Sequence, residues 1–184
     1  MIGFGLPRAT DRLLLRRFQQ SDLERFQSYR RDPEVGRYQG WSAMDDASAA
    51  AFLDAMAVAP IGIPGEWFQI AVAERGSDAL IGDIGLCLRD DSTRTAEVGF
   101  TIAPTAQGKG LGTEAVSGVL SWLFDSEAVD LVEGITDARN APSIRLLARV
   151  GMRLLRTQQA TCKGEPCTEH VYSIAQIRWG NRDG

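Results

Sequence analysis

At 184 residues the chain is long enough for one substantial core, and 44% hydrophobic with 24% charged content is that of an ordinary soluble globule. No apolar run reaches the roughly 18 residues that a spanning helix needs, and the opening Met1 to Pro7 lacks a basic segment followed by an apolar one, so neither a membrane span nor a secretory signal is expected. A net charge of −4 weighs against a nucleic-acid partner and toward a cationic small molecule or peptide.

In chain order, Arg12 to Phe18 reads as a strand, with Leu13 and Leu15 on one face and Leu14 and Phe18 on the other. Ser21-Asp22-Leu23-Glu24 reads as a capping box that opens a helix through Phe26 and Tyr29, stopped at Asp32-Pro33. A second helix is expected from about Asp45 to Val58, with Phe52, Leu53 and Met56 as its apolar stripe. Pro60, Gly62, Pro64 and Gly65 break the pattern over a stretch too short for a domain linker. Trp67 to Glu74 and Leu80 to Arg89 then read as antiparallel strands joined through Arg75 to Asp78.

From Thr93 to Thr113 the pattern is denser. Val98, Phe100 and Ile102 alternate with Glu97, Gly99 and Thr101, a strand of period two that Pro104 ends. Gly108, Gly110 and Gly112 follow and lead into a long helix whose buried face is Leu111, Ala115, Val116, Val119 and Leu123. A glycine-rich loop before a helix lets backbone N–H groups converge on the positive end of the helix dipole, which suits a phosphate. The remainder reads as a strand from Leu131 to Thr136 and a helix from Ala141 to Val150, started by Pro142 and ended by Gly151. Two strands, Arg153 to Cys162 and Thr168 to Ile177, close the chain around a Lys163-Gly164 turn. This order belongs to an α+β or mixed-sheet fold.

The Walker pattern is absent, and the dinucleotide fingerprint fails because its third glycine comes one residue early. Gln107-Gly108-Lys109-Gly110-Leu111-Gly112 does match the form Gln/Arg-x-x-Gly-x-Gly/Ala. Here the chain resembles the GNAT superfamily of acyl-CoA-dependent N-acetyltransferases. The resemblance implies that Gln107, Gly108, Lys109, Gly110, Leu111, Gly112 and Thr113 hold the CoA pyrophosphate. It also implies that backbone N–H groups near Ile102 polarise the thioester carbonyl, with Ile102 and Ala103 among the cofactor-binding residues. The run from Asp137 to Met152 looks like the N-x-x-S-x-x-L-x-x-x-x-G-F segment of the RimJ/RimL-like branch, with Met152 in place of phenylalanine. There the asparagine, Asn140 in this chain, binds the pantetheine arm. A helix cap is an equally sensible role for Asn140, and the two are compatible. The resemblance runs from about Arg8 to Tyr172. It implies one α+β domain over 1–184, with a mixed, mostly antiparallel sheet of about seven strands and about four helices.

Amine acetylation needs a neutral amine beside the thioester, donors for the developing oxyanion and a proton for the departing thiolate. Glu97 stands ten residues before Gln107, the spacing of the general-base glutamate in the histone-acetylating members, so the resemblance makes it the base; the bland alternative is an exposed strand residue. Many members place a tyrosine acid four residues before the Gly-Phe pair, where this chain has Leu147. Ser143 is the substitute that the RimL-like branch suggests, against the plain reading of a first-turn serine. Tyr172 is a further candidate, with core packing preferred. Tyr38, Trp41 and Trp67, with Asp32, Glu34, Asp45 and Asp46, suit an acceptor pocket for a cationic amine, or else form a half-buried aromatic cluster. Cys162, Cys167 and His170 match no common zinc spacing, so no metal is expected. Three cysteines, an odd number without a repeated spacing, fit a reducing cytoplasm. The expectation is an acetyl-CoA-dependent N-acetyltransferase, acting on a small cationic acceptor such as an aminoglycoside antibiotic or on a protein N-terminus. A homodimer is left open. The rival from another class is a non-catalytic acyl-CoA-binding module.

Overall fold

The computed structural model describes residues 5–127 and 129–180, so the first four residues of the segment read for a signal lie outside it. One sheet of eight strands organises the chain, in the order β1-β2-β3-β4-β5-β6-β8-β7. The strands are β1 Arg8–Ala9, β2 Leu13–Arg16, β3 Trp67–Glu74, β4 Leu80–Leu88, β5 Thr95–Ile102, β6 Leu131–Asp137, β7 Arg153–Cys162 and β8 Glu165–Ala175. The helices are α1 Leu23–Arg30, α2 Pro33–Gly36, α3 Asp46–Val58, α4 Leu111–Asp125, α5 Ala141–Arg149 and α6 Gln176–Trp179. Every neighbouring pair is antiparallel except β5–β6. The mixed α+β sheet is thus the expected one. The extra strand over about seven is the two-residue β1, and the extra helices over about four are the single turns α2 and α6.

Two local readings shift. The capping box is not built on Ser21: Gln19 and Asp22 form it around a short 3-10 turn, with Asp22 accepting from the Gln19 N–H at 2.9 Å. Asp22 is recruited because Arg16 binds both of its oxygens in a buried bidentate pair, at 2.7 and 2.9 Å. Asp32-Pro33 ends one helix and begins another, since the Asp32 carboxylate accepts from the Glu34 N–H and caps α2.

The alternation of each strand loads the two faces differently. On one face Leu13, Leu15, Ile70, Val72, Ile84, Leu86, Val98 and Val132 meet the apolar side of α4, forming the main core. On the other, Ala71, Leu80 and Ala103 meet Phe26 and Tyr29 of α1 and Ala49 and Leu53 of α3. Under that second layer Asp83 is 2% exposed. It accepts from the Tyr29 hydroxyl at 2.6 Å and from Arg30 Nη2 at 2.8 Å. Burial holds its carboxyl above the ordinary range, opposed by Arg30 and the Tyr29 hydroxyl. Asp83→Ala leaves the buried Arg30 charge unmatched, so an unfolding free energy lower by about 3–5 kcal/mol is expected in a denaturant titration.

One irregularity positions everything that follows. β5 and β6 pair only from Thr95–Glu97 to Leu131–Glu133. Beyond that point β5 stays with β4 as far as Ile102, and β6 stays with β8 as far as Asp137. The sheet therefore opens between two intact halves, with its vertex at Glu97 and Glu133.

Candidate active site

The open wedge leads into a cavity of about 550 Å³ beneath α4 and α5. Its walls include Phe100 and Ile102 of β5, Gln107, Gly108, Gly110, Leu111, Gly112 and Thr113 of the loop and α4, and Asn140, Ser143 and Leu146 of α5. A smaller space joins it to the wedge itself, between Val98, Gly99 and Phe100 on one side and Gly134, Ile135 and Thr136 on the other. Gly108 and Gly110 sit at φ +74° and +76°, a left-handed backbone that a β-carbon disfavours. No side chain caps α4, which leaves first-turn N–H groups at the cavity wall. Gly112 matters for packing instead, since a β-carbon there would lie 2.8 Å from Leu146; its absence lets α4 and α5 close together.

The strand geometry decides which backbone donors face the wedge. Ala103 N–H donates to Ile81 O at 2.8 Å, and Arg89 N–H donates to Thr95 O at 2.9 Å. Odd-numbered residues of β5 therefore exchange bonds with β4, and the even-numbered ones point the other way. The Ala103 N–H is therefore used within the sheet and is not among the donors near Ile102. Phe100 and Ile102 turn their N–H groups toward the gap left by β6, and their carbonyls accept from Gln39 at 3.3 Å and Gln107 at 2.9 Å. Phe100 escaped the sequence reading as a donor, although the alternation with β4 carries the signal.

Asn140 is the N-cap of α5, its side-chain oxygen accepting from the Ser143 N–H at 3.3 Å. The capping role is thus filled, and the amide nitrogen has no protein partner among the described residues. Ser143 is half-buried and lines both spaces, and its hydroxyl makes no hydrogen bond among the described residues. Leu147 packs over Gly134, where a β-carbon would lie 2.7 Å away. That is a core contact rather than an acid.

Glu97 lies on the opposite face from Val98 and Phe100 and does not line the main cavity. It stands across from Cys87 on β4 and Glu133 on β6. Burial pushes its carboxyl up, Glu133 and Glu169 add to the rise, and Arg89 opposes it. Glu133 is itself 3% exposed and held by Arg89 and Arg156. Glu97 thus sits at the vertex of the wedge with a raised pKa, on the sheet face opposite Val98 and Phe100, and it lines neither space.

The acceptor aromatics do not form one cluster. Tyr38 lines the cavity, with Arg37 and Arg139 over its ring. Trp41 is packed beneath the Arg30 guanidinium at 4.3 Å. Trp67 is 46% exposed and shares the Glu97 face through Cys87. Asp32 is the α2 cap, and Tyr172 packs against the main core. Lys109 turns its Nζ to Thr105 O at 2.7 Å. The cysteine reading is corrected as well: Cys162 and Cys167 are joined in a disulfide across the Lys163-Gly164 turn, and Cys87 is the free thiol. Asp137 brings its carboxylate within 4.8 Å of both sulfurs, but Arg139 binds its two oxygens.

The model of the acetyltransferase (GNAT) domain family matches residues 12–153. The chain belongs to the GNAT acetyltransferase family. It is similar to the uncharacterized N-acetyltransferase p20 of Bacillus licheniformis, 27% identical over 168 residues, covering 90% of this chain and 93% of that one. The acetyltransferase (GNAT family) from Bacillus anthracis has the same fold, with a TM-score of 0.81 at 22% identity over 94% of this chain and 99% of that one. So does spermidine N-acetyltransferase from Vibrio cholerae, solved with CoA and spermine, with a TM-score of 0.77 at 18% identity over 94% of this chain and all of that one (100%). The acetyltransferase draws its acetyl group from acetyl-CoA, and its loop fits that co-substrate: two left-handed glycines and an uncapped helix start make a cradle of donors that side chains would fill.

Proposed function

We propose that this enzyme acetylates a primary amine of a small cationic acceptor by direct transfer. The observation that carries the reading is the wedge between β5 and β6, with the phosphate cradle on one side and Glu97 at its vertex on the other. Acetyl-CoA supplies an activated acetyl group. Backbone donors at Gln107 to Thr113 hold the pyrophosphate, and the Asn140 amide steadies the pantetheine arm. The N–H groups of Phe100 and Ile102 donate to the acetyl oxygen as charge builds there. Glu97 takes a proton from the incoming ammonium, directly or through a water, so that the amine can attack. The Ser143 hydroxyl gives its proton to the departing sulfur and regains one from the acetylated nitrogen, which sheds it as the amide forms.

The choice of a cationic acceptor rests on the face by which it enters. Glu133 and Glu169 both raise the Glu97 carboxyl there, beside the exposed indole of Trp67. Gly99 leaves open space two residues from Glu97, while Gln69 and Trp67 fill the space over the neighbouring Gly85. The spermidine enzyme of the same fold is an example of such an acceptor class. A panel of polyamines, aminoglycosides and N-terminal peptides, assayed for free thiol release from acetyl-CoA, tests this. Turnover of the small polyamines above the peptides is expected, and turnover of the peptides alone would replace the reading with protein acetylation. Acetyl-CoA binding without turnover of any amine would favour the non-catalytic module.

Ser143→Ala is expected to lower kcat by about 10²-fold, the lower part of the range for a positioned proton donor. The α5 cap uses the Ser143 backbone N–H and survives the change. A steady-state assay that finds kcat unaltered returns Ser143 to an ordinary first-turn serine.

A further inference from the structure

Two arginines of the cavity wall have no part in the chemistry above. Arg145 and Arg149 lie four residues apart on α5, both exposed and both lining the cavity that holds Gly108 and Gly110. Residues at that spacing share one side of a helix, with β-carbons about 5–6 Å apart. Leu147 and Val150 take the buried side of α5, and Leu146 between them reaches Gly112 at the start of α4. The arginines therefore stand on the part of α5 that overlooks the glycine loop, two and six residues beyond Ser143.

Their charges are unmatched. The cavity wall contains three cations, Arg37, Arg145 and Arg149, and one carboxylate, Glu34. Glu34 is paired with Arg37 at 3.6 Å, and Arg37 also covers Tyr38 at the other end of the cavity. Among the described residues neither Arg145 nor Arg149 has an ion pair or a side-chain hydrogen bond. Lys109, the cation of the loop itself, is turned away to Thr105 O. Arg149 lies in the last turn of α5, where a cation suits the helix dipole. Arg145 does not, so the dipole leaves the pair unexplained.

We propose that Arg145 and Arg149 form a second anion seat, for the 3′-phosphate of the CoA adenosine. The inference rests on the acetyl-CoA reading and goes beyond it. The loop offers backbone donors but no free full charge, which suits the bridging pyrophosphate. A terminal phosphomonoester carries close to two negative charges and three strong acceptor oxygens. Two guanidinium forks on one helix side match that group in charge and in geometry. The seat makes the enzyme select CoA thioesters over those lacking the 3′-phosphate.

Calorimetric titration of CoA and of 3′-dephospho-CoA, into the parent and into the Arg145→Ala/Arg149→Ala double variant, reads this without turnover. The parent is expected to bind CoA about tenfold or more tightly than dephospho-CoA, as charge-assisted hydrogen bonds warrant. The double variant is expected to bind both within about twofold of the parental dephospho-CoA affinity. Both arginines are exposed, and an unchanged melting temperature of the free variant verifies that it is folded. A parent that binds the two nucleotides equally overturns the seat and leaves the acetyl-CoA reading standing, as does a variant that keeps the parental preference. A parent that binds neither overturns that reading and the seat with it.

Discussion

Glu97→Gln is expected to lower turnover by about 10²–10⁴-fold at neutral pH, the contribution of a positioned general base, while acetyl-CoA affinity stays near parental. The affinity holds because Glu97 does not line the cavity with the glycine loop. Glutamine keeps the size and the hydrogen-bonding reach of the side chain but cannot take the proton. The pH profile gives the decisive readout. Burial raises the Glu97 carboxyl above its ordinary range, with Glu133 and Glu169 adding to the rise. A base works only when deprotonated, so parental kcat/KM falls as pH drops through that raised pKa. The acid limb thus begins at a higher pH than a free glutamate would set. The variant lacks the limb that belongs to Glu97. Toward high pH its deficit shrinks, because a lysine-type amine titrates near ~10 and a growing fraction arrives neutral. Equal rates in variant and parent across the whole range would leave Glu97 an ordinary strand residue.

The parts of the fold that were legible share one property: their determinants lie close together in the chain. The alternation of Val98, Phe100 and Ile102, the stop at Pro104 and the three glycines place β5, the loop and α4 where the structure has them. β3 runs over Trp67–Glu74 as its pattern indicates. What sequence periodicity could not carry was set by distant partners. Ser21 looked like a cap until Arg16 claimed Asp22. Trp41 looked like an acceptor aromatic, but Arg30, held by Asp83 from β4, covers it. The donors near Ile102 could not be told apart in sequence; β4 takes the Ala103 N–H, and the register leaves those of Phe100 and Ile102. The Lys163-Gly164 turn was visible, whereas the disulfide it brings about needs the hairpin register that sets Cys167 opposite Ala160, two residues from Cys162. Arg145 and Arg149 were passed over because α5 was read for its two ends and for Asn140 and Ser143, and both arginines fall on open positions of that motif.

Gly110→Asp is expected to weaken CoA binding by about two decades or more in Kd, since like charges brought together cost several kcal/mol. The fold is expected to survive. Gly110 is the residue before α4, at φ +76°, and nothing caps the helix. Aspartate tolerates the left-handed region better than most residues, and its carboxylate is a good cap for exposed first-turn N–H groups. A β-carbon there comes no nearer than 3.6 Å to Arg12 Nη2, a contact without a clash and with a cation at hand. The substituted carboxylate thus occupies the donors that the pyrophosphate would use, as an internal competitor that also repels it. Gly110→Ala separates the two effects, because it adds the β-carbon and the backbone strain without the charge. Calorimetry with CoA is expected to rank parent, alanine and aspartate in descending affinity, the larger step falling between the last two. A variant aspartate protein that is folded by its melting curve and binds CoA as the parent does would place the pyrophosphate away from this loop.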